Sequence, residues 1–411
     1  MALQLASAQG KLPPAGYQIL LTVLLSLNFG FVLFDRNALS FLMPFIQPEL
    51  GLNNTQVGLL AGGLSFTWAV SALAIGVLSD KLGSRKGLLI LATVAFSLCS
   101  FLTGIATTFI MLLGARLLMG AAEGGIMPLS QALIAADVAP EHRGLAMGVS
   151  QGFLSSLMGS FVAPVTLVAF TAAFGWRHAF FLAGAPGLLT ALLIAGLIRA
   201  PAALPGSRGR QQRETGSLRA VLAERNVILC ALLGILLVSY LVLCWAFMPL
   251  YLTQVRKYDP ATMGWLMGTL GISATLASIA VSALSDRIGR RPVMIAGTLV
   301  ATIVPLGAMF YGGSPLGLAA IFFVGWTVTG VFPLFMSTIP AESVSSRNIA
   351  TALGICMGLG EILGGAFSPF AAGYAADRVG LQAPLWMLFG AAVLSVFLSL
   401  GLRESAPRVL R

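Results

Sequence analysis

Long apolar runs separated by short polar segments cover almost the whole chain. Each run reaches the roughly 20 apolar residues that a helix needs to cross the hydrocarbon core of a bilayer. Twelve such runs fit into the sequence with little chain left over, which predicts twelve membrane-spanning helices. The predicted spans are 17–46, 55–79, 87–107, 109–136, 145–171, 177–199, 227–253, 261–285, 292–311, 315–340, 348–375 and 382–402.

One long polar segment, residues 200–226, separates the sixth span from the seventh. It is rich in Pro, Gly and Arg, which is typical of a flexible basic linker. The pattern therefore predicts three parts: an N-terminal six-helix bundle over 1–199, a linker over 200–226 and a C-terminal six-helix bundle over 227–411.

The composition agrees with a polytopic all-α membrane protein. Of 411 residues, 57% are hydrophobic and 9% are charged, whereas a soluble domain carries about 25% charged residues. The net charge of +10 does not indicate nucleic-acid binding, because the basic residues lie in short loops between apolar runs. The four cysteines stand singly inside apolar runs, which predicts small buried side chains and neither disulfides nor a metal site.

The distribution of Lys and Arg predicts the orientation in the membrane, because cytoplasmic loops are enriched in these residues. If the N-terminus is inside, 18 of the 24 basic residues lie on the inner side, four lie outside and two lie within spans. We therefore expect a multi-pass protein of a bacterial inner membrane with both termini in the cytoplasm.

The two halves of the chain share an internal repeat. The motif Gly76-Val-Leu-Ser-Asp80-Lys-Leu-Gly83-Ser-Arg85-Lys86 recurs as Ala283-Leu-Ser-Asp286-Arg287-Ile-Gly289-Arg290-Arg291, 206 residues later. Three further matches have an offset of 205 residues: Phe41–Pro44 with Ala246–Pro249, Gly125–Pro128 with Gly330–Pro333, and Pro164 with Pro369. Two parallel six-helix halves are expected from such a repeat.

The repeated loop between spans 2 and 3, and between spans 8 and 9, resembles the signature of the major facilitator superfamily. That resemblance implies a two-bundle fold that works by alternating access. It also implies a gating role for Asp80, Arg85, Asp286 and Arg290, which would latch helices together. The alternative is a basic loop that only anchors topology. Glu342, at the inner end of span 10, is a further candidate for a latching charge.

Within that superfamily, the first half resembles the anion:cation symporter family of organic-anion transporters. The matching residues are Asp35-Arg36-x-x-Leu39-Ser40-x-x-x-Pro44 in span 1 and Arg116-Leu-x-x-Gly120-x-x-Glu123-Gly124-x-x-x-Pro128 in span 4, with Pro140–Gly144 and Gly175–Arg177 before spans 5 and 6. Lysolipid transporters of the spinster type carry a similar set, so the resemblance leaves both substrate classes open.

Five ionisable residues fall inside spans, where each charge costs at least about 2.5–3.5 kcal/mol at mid-depth. Arg116 and Glu123 lie on one face of span 4, roughly 10 Å apart along the helix axis. The two guanidinium groups, Arg36 and Arg116, suit a carboxylate ligand because they offer a planar fork of donors. The three carboxyl groups, Asp35, Glu123 and Glu361, are assigned to proton coupling. The alternative for Asp35, Arg36, Arg116 and Glu123 is a set of structural ion pairs. For Glu361 the open assignments are a second proton site, a cation ligand and a repulsive specificity element.

The repeat shows that the charges belong mostly to the first half. The equivalents of Asp35, Arg36, Arg116 and Glu123 are Tyr240, Leu241, Ile321 and Val328. We therefore expect the N-terminal half to handle the anion and the proton, and the C-terminal half to pack the rest of the substrate. Polar and aromatic residues would complete the binding site: Gln151, Tyr240 and Trp245, with Asn28 and Trp326 as further candidates.

These observations predict a proton-coupled symporter of a small organic anion, such as a sugar acid or another carboxylate. The expected partners are the organic anion, protons or sodium, and the lipid bilayer, and we expect a monomer. The sequence contains no nucleophile, metal, cofactor or nucleotide motif, so neither an enzyme nor a nucleic-acid-binding protein is expected. The alternatives are an efflux transporter of drugs or lysolipids, and a non-transporting sensor with the same fold.

Overall fold

The computed structural model describes residues 13–82, 84–150, 154–199 and 218–406, and these residues form an all-α fold of twelve long helices. The predicted linker lies largely outside this range, because residues 200–217 are not described. The helices of the N-terminal half are α1 (Ala15–Leu50), α2 (Asn54–Leu82), α3 (Arg85–Gly104), α4 (Phe109–Asp137), α5 (Leu154–Phe174) and α6 (Trp176–Leu197). Those of the C-terminal half are α7 (Arg225–Val255), α8 (Pro260–Ile288), α9 (Arg290–Phe310), α10 (Pro315–Ser343), α11 (Thr351–Val379) and α12 (Gln382–Leu400). Short helices, Pro140–Gly148 and Leu218–Ala223, precede α5 and α7.

The helices have the length and apolar character of membrane spans. In the described ranges, eleven of them are long and apolar enough to cross a bilayer, with mean hydropathies between 1.4 and 2.9. The remaining helix of the twelve, α2, has 29 residues and completes the N-terminal bundle. The predicted twelve-helix fold is confirmed.

Helix α1 extends further than the apolar pattern predicted. It continues through Pro44 and Pro48 to Leu50, and it ends where Gly51 adopts a left-handed φ of 61° and donates its N–H to Gln47 O. A β-carbon is unfavourable in that conformation, so glycine is the residue that lets the chain turn towards α2.

The internal repeat is visible as matching contacts in the two halves. Lys86 Nζ donates to Ala195 O (2.7 Å), which joins the start of α3 to the end of α6. Arg291 Nη2 donates to Leu400 O (2.9 Å), which joins the start of α9 to the end of α12. The two acceptors are 205 residues apart, and the two donors are the last residues of the two motif copies, so both halves repeat one helix arrangement.

The two bundles meet along two seams, α2 against α11 and α8 against α5. We call the end of the molecule where α1 begins and α12 ends the terminal face, and the opposite end the distal face. A β-carbon on Gly58 of α2 would lie well inside 3.0 Å of Pro369 O on α11, and one on Gly264 of α8 would lie 3.1 Å from Pro164 O on α5. Both positions are near the distal face, where the backbones come close together.

Hydrogen bonds join the bundles at the same end. Gln254 Nε2 donates to Gln47 Oε1 (2.8 Å). The carboxylate of Asp377, near the end of α11, accepts the backbone N–H groups of Asn54 and Thr55 at the start of α2, both at 2.8 Å. The structure therefore shows a state that is closed at the distal face.

Candidate functional site

A cavity of about 390 Å³ lies between the two bundles. Its lining residues come from the middle and distal parts of α1, α2, α4 and α5 on one side and of α7, α8, α10 and α11 on the other. Because the distal ends of the helices are in contact, the cavity is bounded on that side by the seams described above. A space of this size suits a small organic molecule.

The N-terminal wall of the cavity carries two guanidinium groups. Arg36 on α1 lies over the ring of Trp68 on α2, 5.2 Å from its centroid. Arg116 on α4 is 1% exposed, and its Nη1 reaches Arg36 O (3.3 Å) and Met119 Sδ (3.4 Å). Its Nε and Nη2 have no hydrogen-bond partner. The edge of the guanidinium formed by Nε and Nη2 therefore lacks a hydrogen-bond partner, in a residue that lines the cavity.

Two carboxyl groups lie behind this wall, outside the cavity lining. Asp35 on α1 is fully buried, and its Oδ1 accepts a hydrogen bond from Ser100 Oγ on α3 (2.7 Å), while Oδ2 has no partner. Glu123 on α4 is also fully buried, and neither of its carboxyl oxygens has a partner. Such groups are rare inside proteins, because an unpaired buried charge costs several kcal/mol.

Helix α4 packs closely on α2 around the position of Glu123 in the chain. On either side of it, Gly120 faces Leu64 O and Gly124 faces Trp68 O, both at distances that would exclude a β-carbon. Ser71 Oγ also donates to Ala121 O (2.5 Å) across this interface. The glycines thus bring the two backbones together on either side of Glu123 in the chain, and Glu123 itself is fully buried.

The C-terminal wall of the cavity is mainly aromatic and aliphatic. Trp245 on α7 and Trp326 on α10 pack edge to face, with ring centroids 5.4 Å apart. Trp245 also meets Phe41 of the other bundle, at 5.6 Å. One charged side chain of this wall, Glu361, lies near the start of a π-helical segment of α11, Gly360–Phe367. Such segments are frequent at functional sites.

Sequence comparison assigns the family. The sequence model of the Major Facilitator Superfamily matches residues 25–259 and 243–410, which together include every helix of both bundles except the start of α1. The chain belongs to the Major Facilitator Superfamily. It is therefore a multi-pass membrane transporter and not an enzyme.

Individual relatives of this facilitator include transporters of organic acids. A probable 4-methylmuconolactone transporter of Cupriavidus pinatubonensis is 31% identical over 359 residues, which cover 85% of this chain and 81% of the relative. A probable sulfoacetate transporter of Cupriavidus necator is 26% identical over 409 residues, covering 91% and 92%. Among solved structures, an inward-facing, unoccupied bacterial homologue of the lysosomal transporter Spinster superposes with a TM-score of 0.72 over 94% of this chain and 96% of that chain. At 17% identity, this last similarity shows the fold alone.

The second copy of the facilitator loop motif forms an ion-pair network at the terminal face. Arg290 binds Asp286 (2.6 Å) within the motif and Glu342 at the end of α10 (3.1 Å). Its Nη1 also donates to Ser285 Oγ (2.6 Å). This arrangement supports the predicted latching contact between α8, α9 and α10. In the first copy, the side chain of Asp80 lies outside the described residues, so the equivalent contact with Arg85 stays a prediction.

The ion-pair network is extended by two residues that the sequence did not suggest. The carboxylate of Glu404, beyond the end of α12, accepts the backbone N–H groups of Arg290 (2.8 Å) and Arg291 (3.1 Å). Ser405 Oγ donates to Glu342 Oε2 (2.6 Å). The segment after α12 is short and polar, with no pattern that would assign it to the start of α9.

The three predicted binding residues differ in their position relative to the cavity. Trp245 lines the cavity. Tyr240 is not among the lining residues; it is 1% exposed, and its hydroxyl donates to Ala301 O (2.7 Å). Its ring packs against Trp326 with centroids 5.8 Å apart, which makes it a support for the cavity wall. Gln151 lies outside the described residues.

Asn28 is also placed away from the cavity. Its amide joins three helices, because Nδ2 donates to Thr93 Oγ1 on α3 (3.1 Å) and Oδ1 accepts from Thr190 Oγ1 on α6 (2.9 Å). Ser100, the partner of Asp35, was not predicted. The spacing of Thr93, Ser97 and Ser100 could have revealed it, since these hydroxyls recur on one face of an otherwise apolar helix.

Proposed function

We propose that this facilitator is a proton-coupled symporter of a small organic anion. One observation carries the proposal: Arg116, a cavity-lining residue, has two nitrogen atoms without hydrogen-bond partners, and the buried carboxyl groups of Asp35 and Glu123, outside the lining, have three oxygens without partners. A carboxylate ligand fits the free Nε and Nη2 atoms, because a guanidinium binds a carboxylate through two parallel hydrogen bonds. Arg36, on the same wall, adds a second positive charge.

The same arrangement supports coupling between anion and proton. In the absence of substrate, Arg116 offsets part of the negative charge of Asp35 and Glu123, because all three are buried in one low-dielectric region. When a substrate carboxylate binds Arg116, the carboxyl groups behind it lose that compensation and become costly as anions. Protonation removes the cost, so substrate and proton bind together. Glu123 is the first candidate for this proton, since neither of its oxygens has a partner.

The relatives are consistent with an organic acid as the substrate. Both transporters named above carry an organic acid or its lactone according to their names. We expect a small carboxylate here, with transport through a cycle in which the two bundles rock about the cavity. From the basic loops we further expect a bacterial inner membrane with cytoplasmic termini, so that the distal-closed state opens inward.

Uptake into proteoliposomes tests the proposal. The purified protein is reconstituted and screened with sugar acids and other carboxylates under an imposed pH gradient, and the accumulated acid is measured. Glu123→Gln is compared with the parent and with Glu224→Gln, a substitution at an exposed position ahead of α7. We expect accumulation by the parent and the control. Glu123→Gln should lose accumulation but keep exchange of internal for external substrate, which needs no net proton movement.

Three results would count against parts of the proposal. Normal accumulation by Glu123→Gln would show that another group couples the proton. Uptake that follows a sodium gradient and ignores pH would replace the proton as the coupling ion. Failure to take up any carboxylate, with export of a cationic dye or lysolipid instead, would favour the efflux alternative.

A further inference from the structure

Two polar groups on the C-terminal wall of the cavity have no role in the cycle proposed above. They are the indole N–H of Trp326 and the carboxyl group of Glu361. Trp326 is fully buried in the wall, and its Nε1 has no hydrogen-bond partner. An indole nitrogen is a donor only, and buried donors are nearly always bonded. An oxygen acceptor of a bound molecule would satisfy this group.

The indole of Trp326 is held in place from two sides. Tyr240 packs against it at 5.8 Å and is itself anchored by its hydrogen bond to Ala301 O, while Trp245 meets it at 5.4 Å. Trp326 also begins a 3₁₀-helical segment, Trp326–Val331, within α10. Because the ring is fixed by its neighbours, little conformational freedom is lost when its N–H binds a ligand.

Glu361 brings negative charge to the same wall. Its carboxyl group lines the cavity, whereas both guanidinium groups belong to the N-terminal wall. An anionic substituent brought to the C-terminal wall would meet this carboxyl group in a low-dielectric space, where repulsion between like charges is strong.

We infer that this wall is a second subsite, which binds the uncharged end of the substrate. The inference rests on the proposed binding of a carboxylate at Arg116. The subsite takes a neutral oxygen acceptor on Trp326 Nε1, packs a ring against Trp245 and Trp326, and excludes a second carboxylate through Glu361. The substrate class is therefore a cyclic or aromatic monocarboxylate with a carbonyl, ester or ether oxygen away from the acid group.

Three ring acids of similar shape test the subsite. 4-Acetylbenzoate carries a carbonyl acceptor, 4-isopropylbenzoate lacks it, and terephthalate carries a second carboxylate. Their dissociation constants are measured by isothermal titration calorimetry with the purified full-length protein. The variants are Trp326→Phe, Glu361→Gln and Arg116→Gln, and the control is Trp386→Phe on the exposed side of α12. Thermal melting of each variant verifies that it is folded.

We expect the parent and the control to bind 4-acetylbenzoate about tenfold more tightly than 4-isopropylbenzoate, as one hydrogen bond in a buried site allows. Trp326→Phe should reduce this preference to about twofold or less while the affinity for 4-isopropylbenzoate is kept. Glu361→Gln should raise the affinity for terephthalate about tenfold and change that for the monoacids little.

The outcomes separate this inference from the proposed function. If all three acids bind through Arg116 but Trp326→Phe keeps the preference, or Glu361→Gln leaves terephthalate excluded, the subsite is overturned and anion binding stands. If none of the three acids binds, the substrate class inferred here is wrong, while the wider uptake screen still decides whether another carboxylate is transported. If binding is unchanged in Arg116→Gln, the proposed anion site itself fails.

Discussion

The N-terminal bundle encloses Asp35, Arg116 and Glu123 at positions whose equivalents in the C-terminal bundle are uncharged: Tyr240, Ile321 and Val328. Tyr240 and Val328 are buried in the apolar core of their bundle. The same helix arrangement is therefore built once around charges and once around apolar side chains. Because the C-terminal bundle packs without a charge at these equivalent positions, the charges there are not required by the fold, and their cost is better explained by transport.

The two seams between the bundles differ as well, although they use equivalent residues. On one seam Gly58 faces Pro369, and on the other Gly264 faces Pro164. The two glycines are 206 residues apart and the two prolines are 205 residues apart, so the pairs are equivalent in the repeat. The first pair leaves no room for a β-carbon, whereas the second leaves 3.1 Å. At this pair of positions near the distal face, the α2–α11 seam is therefore the tighter of the two.

The largest expected effect comes from giving the C-terminal bundle a charge like that of the N-terminal bundle. Val328→Glu places a carboxyl group at the equivalent of Glu123, in a bundle where the equivalents of Arg36 and Arg116 are Leu241 and Ile321. We expect a cost of about 3 kcal/mol or more and little folded protein in detergent, measured as the monodisperse peak in size-exclusion chromatography. Val379→Glu, at the exposed end of α11, should give a normal peak. A normal yield of Val328→Glu would show that the C-terminal core tolerates charge.

Removal of the positive charge of Arg116 should strongly reduce transport. Arg116→Gln deletes the proposed ligand for the substrate carboxylate and leaves Asp35 and Glu123 uncompensated. Loss of one partner in a buried charged set lowers affinity by about 100-fold. We expect the initial rate of uptake at low substrate concentration to fall by about that factor. Arg378→Gln, exposed near the distal end of α11, should transport normally, and equal rates for both variants would exclude Arg116 from the site.

The difference between the seams predicts unequal effects of one added methyl group. Gly58→Ala should disfavour the distal-closed state strongly, and Gly264→Ala should do so weakly, because a shift of a few tenths of an ångström relieves the second contact. A cysteine at Met43, on the cavity wall, reports the opening when it is labelled by a membrane-impermeant maleimide from the distal side. We expect labelling to be several-fold faster in Gly58→Ala than in Gly264→Ala.

In that experiment the parent sequence is a suitable background, because all four native cysteines are buried. The parent with only Met43→Cys sets the basal rate. Equal labelling of the two alanine variants would mean that the seams contribute equally to distal closure.

The smallest expected effect concerns the contact between Glu404 and the start of α9. Glu404 accepts N–H groups at the start of α9, whereas the equivalent residue of the N-terminal half is Arg199, which lies over the ring of Tyr17. Glu404→Gln should cost about 1 kcal/mol, as the loss of a helix cap does. We expect a fall in Tm of roughly 1–2 °C at pH 7. Arg199→Gln should not weaken α9.

The pH dependence of this effect has a definite sign. Partial burial raises the pKa of Glu404. The hydrogen bonds from the backbone N–H groups of Ala406, Arg290, Arg291 and Ser405 together lower it by more than burial raises it, so the pKa of Glu404 lies below its usual value. Stability from a carboxylate with a lowered pKa is present above its unfolded pKa and is lost as pH falls through the folded pKa. The difference in Tm between parent and Glu404→Gln should therefore close towards about pH 4 and below. A difference that persists there would exclude the charged cap.

Much of the architecture could be predicted because a bilayer imposes strong local rules. Every span must be about 20 apolar residues long and helical, so hydropathy finds the helices. The repeat then gives two equivalent halves. Individual side chains were harder to place. Asn28 and Tyr240 are polar residues in apolar spans, and for that reason both were predicted to face the cavity. Their hydrogen bonds to Thr93 and Ala301 show that a buried polar group can instead be satisfied inside a bundle.

The sequence alone determined the twelve helices, the repeat and the identity of the buried charges, because each of these depends on residue type and spacing along the chain. The tertiary structure decided which charges line the cavity and which lie behind its wall. It also showed that Glu404 accepts hydrogen bonds from the start of α9, that Ser100 donates a hydrogen bond to Asp35, and that the indole N–H of Trp326 has no partner. These facts depend on helix rotation and on contacts between distant segments, which side-chain packing determines and local periodicity does not record.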